Sequence, residues 1–115
     1  MITRTFKELE NEVRKLAKEN PDYVYPRVRK CMYNPDKEQP GCIFGQALAR
    51  LGISGLPEGN TISTLIEVRK VSITEFTDRD LAWARDVQIA QDSGKTWSLA
   101  IKRADNIGPY RPVVD

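Results

Sequence analysis

The 115-residue chain contains no histidine. That removes the commonest general base, the usual zinc and haem ligand and the ordinary switch near neutral pH. It has two cysteines, Cys31 and Cys42, too few for a structural zinc site without other ligands. No run of 18 apolar residues occurs, so the sequence predicts no membrane-spanning helix. Charge of one sign is lacking too: 18 basic against 16 acidic residues give a net charge of +2, too balanced to argue for nucleic acid. Met1 to Thr5 lack the apolar core of a signal peptide, and the expectation is a cytoplasmic, reducing setting with both cysteines as free thiols. Because Cys31 and Cys42 flank a short loop, a disulfide between them stays open.

What is present suits one globular domain spanning residues 1–115, with 40% hydrophobic and 30% charged residues. The most apolar segment is Gly41 to Gly52. On a helix, Ile43, Phe44, Ala47, Leu48 and Leu51 fill one arc, with Gly45 and Ala49 extending it as a flat strip. Only Gln46 and Arg50 are left on the other side, which predicts a central helix at about 42–51, buried on most sides. Gly52 provides its stop.

Four further helices are expected. Thr5 and Glu8 form a capping box ahead of Phe6, Leu9, Val13, Leu16 and Ala17, predicting a helix over 6–19 with Lys7, Glu10, Glu12, Arg14, Lys15 and Lys18 outward. Asn60 or Thr61 caps a short helix with Ile62, Leu65 and Ile66 inward, ending near Lys70. Thr77, with Asp80 at the box position and Phe76 and Leu81 placed as a staple, starts a helix to about Gln91. Trp83, Val87 and Ala90 share its inner face. Ser93-Gly94 breaks it, and a last helix covers about Thr96 to Ala104. The expected fold is mainly α: a bundle of four to five helices around the central one, with room for a short β-hairpin near Arg29 to Tyr33 before it. Residues 106–115 read as an irregular tail.

Each chemical motif has a structural counterpart. Gly94-Lys95-Thr96 looks like the end of a phosphate loop, but Ile89 stands where that loop needs its first glycine, and helix precedes it instead of strand. A helix stop followed by a new cap explains it. Cys42 opens a helix with Arg29 and Lys30 nearby in sequence, as an activated thiolate would, yet no histidine serves as its base. Asp78, Asp80, Asp86 and Asp92 match no calcium loop, and capping explains the first two. Trp83 and Trp97 suit the core. No metal site, cofactor or catalytic residue follows from these patterns.

The candidate recognition surface is the basic and aromatic stretch 23–39: Tyr23, Tyr25, Arg27, Arg29, Lys30, Tyr33 and Lys37. Loops held on a rigid scaffold often carry binding. The same mixture can contact phosphates and stack on bases, so nucleic acid is the alternative partner to a protein.

The segments Pro40 to Gly52 and Trp83 to Trp97 resemble small proteins encoded by actinobacterial phages and their hosts. That resemblance covers under a third of the chain and implies a small intracellular protein, often phage-borne, with no catalytic residues to transfer. The reading is a non-enzymatic binding module, a phage accessory protein acting on a host protein.

Overall fold

The computed structural model describes residues 2–26, 32–35 and 41–106. In chain order they form β1 (Arg4–Thr5), α1 (Phe6–Glu19), α2 (Ile43–Arg50), α3 (Ile62–Glu67), β2 (Ile73–Thr74), α4 (Asp78–Asp92) and α5 (Trp97–Asn106). The fold is mainly helical, as the periodicities predict.

The start signals act as read. Thr5 and Glu8 complete the capping box of α1, and Thr77 and Asp80 that of α4. The Thr61 side chain accepts from the Thr64 amide and caps α3. Thr96 Oγ1 accepts from the Leu99 amide at 3.1 Å, so the residue that resembled part of a phosphate loop caps α5. α3 ends in a Schellman turn, with the Lys70 amide on Leu65 O and the Arg69 amide on Ile66 O. Arg69 holds the left-handed position there at φ 62°, without a glycine.

α2 lies in the interior: Ile43, Phe44, Ala47 and Leu48 are inaccessible to solvent. Its surroundings differ from expectation. α1 packs along α2 and α5, and α4 along α5 and α3, so α1 and α4 join the helices together. A non-helical segment covers the far side of α2. A Cβ at Gly45 would come within 2.7 Å of the Tyr33 Cα, so of the helix or backbone that the flat strip could admit, it receives backbone. Ala49, assigned to the same strip, faces solvent.

Three features were not anticipated. β1 and β2 pair in parallel, Arg4 with Ile73 and Thr5 with Thr74, which anchors the linker before α4 beside the start of α1. Val24 bridges Thr96 in antiparallel fashion. Glu10, expected outward, is buried. Its carboxylate takes Arg14 Nε at 2.8 Å, Arg14 holds Asp105 at 2.9 and 2.8 Å, and the Trp83 indole donates to Asp105 at 2.8 Å. The expected hairpin has no strand among described residues 32–35, and its remainder lies outside the described residues, as does the expected tail except for Asn106, which ends α5. No described helix is long and apolar enough to cross a membrane.

Candidate functional site

The stretch 23–39 divides by chemistry. Its tyrosines are structural. Tyr25 is fully buried, and its hydroxyl accepts from the Met32 amide at 3.0 Å. Tyr33 is buried as well; its hydroxyl donates to Asn60 O and accepts from Gln88 Nε2 at 2.9 Å. Burial pushes the Tyr33 hydroxyl up to about 12. Tyr23 is half-buried, edge-on to Trp97 with ring centroids 4.7 Å apart. Assigning Tyr25 and Tyr33 to an exposed recognition surface is therefore corrected. A tyrosine ring gains more from burial than a loop can offer it, provided its hydroxyl finds a partner, and both do. Base stacking loses these two rings. Arg27, Arg29, Lys30 and Lys37 lie outside the described residues.

The ends of the stretch are pinned. The Glu58 carboxylate takes the amides of Tyr33 and Asn34 at 2.9 and 3.0 Å and the Asn34 side chain at 2.7 Å. The Asn34 carboxamide also closes a two-way bond with the Leu56 backbone. The Cys42 amide donates to Met32 O at 2.8 Å.

Cys42 is disulfide-bonded and fully buried. Free thiols were expected from compartment chemistry alone, and that expectation is corrected here. The hydrogen bond from the Cys42 amide to Met32 O brings the chain next to position 31 alongside the start of α2; Cys31 itself lies outside the described residues. A sulfur held in a disulfide is no thiolate, so the nucleophile reading of Cys42 falls. Among the described residues, no group of three or more acidic or cysteine side chains is placed to hold a metal ion.

Sequence reasoning missed the polar pair that organises this region. Gln88 Oε1 accepts from the Ile62 amide at 2.8 Å, and Gln91 Oε1 from the Ile43 amide at 2.8 Å and the Trp97 indole at 3.1 Å. Two side chains of α4 thus satisfy first-turn amides of α3 and α2, donors that a helix cannot satisfy itself. The signal was available: Gln88 and Gln91 are three apart, on the face that also carries Trp83, Ala84 and Val87.

Trp83 and Trp97 are core residues, as expected. Comparison with protein families, curated proteins and solved structures found no match.

Proposed function

We propose that the chain is a non-catalytic module that binds a protein partner through the basic side chains Arg27, Arg29, Lys30 and Lys37. The observation that carries this reading is the pinning of the flanking chain. Tyr25 on one side, and Tyr33, Asn34 and Cys42 on the other, are buried or bonded to the scaffold. Cations on a short connection between fixed points lose less entropy on binding than cations on a free loop. The missing histidine and the bonded sulfur of Cys42 both weigh against an enzyme. The likeness to actinobacterial phage proteins makes a host protein the partner to seek, in the cytoplasm. The disulfide weighs against that compartment, and thiol trapping in intact cells tests it.

The direct test is affinity capture from an actinobacterial lysate with the natural chain and with Arg27→Glu/Arg29→Glu. Loss of a specific band in the variant supports the reading, and unchanged capture overturns it. Nucleic acid, the rival partner, is checked by gel shift at two salt concentrations, because phosphate contacts give steep salt dependence.

A further inference from the structure

An open groove of about 450 Å³ runs between α1 and α5, lined by Arg14, Ala17, Lys18, Pro21, Ser98 and Ile101. Ala17, Pro21 and Ile101 make its floor apolar. Arg14 forms a fixed wall: it is held by Glu10 and Asp105 and lies 5.0 Å over the Trp83 ring. The Ser98 amide already donates to Pro21 O at 3.1 Å, so it is not available to a ligand.

Two exposed donors are left at the rim. The Lys18 ammonium has no ion pair, and the Ser98 hydroxyl no hydrogen bond, among the described residues. Among the described residues no carboxylate lines the groove, and the Asp105 carboxylate behind Arg14 is taken up by Arg14 and the Trp83 indole. An apolar floor under a rim of unused donors complements an apolar group that sits beside a negatively charged acceptor.

We propose that this groove docks an acidic segment of a protein partner. One apolar side chain rests on Ala17, Pro21 and Ile101, and a neighbouring carboxylate meets Lys18 and Ser98. The openness of the groove favours a passing peptide, since sites for small molecules enclose most of the ligand surface. This surface lies wholly on described residues and does not depend on the basic stretch 27–37.

The test is an amide-resolved NMR titration of the full chain with a capped peptide alternating leucine and aspartate. Its asparagine counterpart and hexanoate are the comparisons. The expected result is shifts confined to residues 14–21 and 97–102. The affinity falls about tenfold with Lys18→Glu and with the asparagine peptide, as for the loss of one well-placed charge pair. Lys18→Ala and Ser98→Ala, which remove the donors without adding charge, weaken it less. The proposal is overturned by no shifts at millimolar peptide, by equal affinity in Lys18→Glu, or by hexanoate binding as tightly as the peptide.

Discussion

At the scale of single residues, Gly45 has the least latitude. The Tyr33 backbone occupies the space that any side chain there would need, and backbone cannot step aside as a flexible side chain can. Gly45→Ala is expected to lower stability by about 3 kcal/mol, at the upper end for overpacking, read as a fall in the urea midpoint. A change under 0.5 kcal/mol, the usual range for an unconstrained surface site, would mean the Tyr33 segment can lift away. Tyr33 also carries a pH dependence. Its folded value of about 12 lies above the ordinary 10, so the folded state favours the protonated hydroxyl. The resulting stability is intact below pH 10 and is lost as pH rises through about 12. Alkaline titration monitored by circular dichroism should show Tyr33→Phe with a shallower loss across that window than the natural chain. Glu8 works in the opposite direction. Its bond from the Thr5 amide, together with Arg4, holds it below the usual carboxylate range, so the α1 cap weakens only as acid protonates it.

At the scale of elements, α4 does more than present an apolar face. Gln88 and Gln91 reach across to the first turns of α3 and α2, so two side chains tie three helices together beyond their apolar packing. Gln91→Leu would leave the Ile43 amide and the Trp97 indole without their acceptor. At about 1–3 kcal/mol per buried unsatisfied donor, the expected loss is about 3 kcal/mol, measurable by thermal or urea unfolding. Gln91→Glu keeps an acceptor at both donors but loses the bond to Asp92 and sets a buried carboxylate against it, so it is expected to destabilise as well. These elements also show where sequence reading reaches and where it stops. Thr5, Thr61, Thr77 and Thr96 mark helix starts through local chemistry, and the apolar spacing of α1, α2 and α4 identifies their inner faces. Glu10 reads as outward, and Gln88 and Gln91 carry no assignment, because spacing places a polar side chain on a face without naming its partner. Their partners lie on other elements or, for Glu10, in a network completed by Asp105. The β1–β2 pair was invisible for the same reason: two residues show no alternation, and their pairing spans the chain from Arg4 to Ile73. The tyrosines failed differently. Mixed with arginines in sequence, Tyr25 and Tyr33 resembled a surface patch, although large rings beside a buried helix belong in the core.

At the scale of the whole molecule, the disulfide at Cys42 is the single covalent restraint beyond the backbone. The chain's only other cysteine is at position 31, so within one chain the bond closes a loop of roughly 12 residues, worth about 3 kcal/mol on the chain-entropy account. Treatment with a dithiol should lower the unfolding free energy by that amount while the helical circular dichroism at low temperature persists. The hydrogen bonds to Met32, Tyr33 and Asn34 hold the same region independently of sulfur. Complete loss of helix on reduction would show that those bonds are too weak to keep the segment seated.

The Arg14 clasp has a consequence for synthesis. Its partner Asp105 lies 91 positions further along the chain, and the ribosome makes a few residues to some twenty per second. The first helix therefore emerges long before the group that completes its grip, and its apolar side facing α5 has nothing to meet. Docking of α1 against α5 must await the synthesis of α5. A nascent chain stalled before residue 97 would carry an unfinished, adhesive surface for a chaperone to cover.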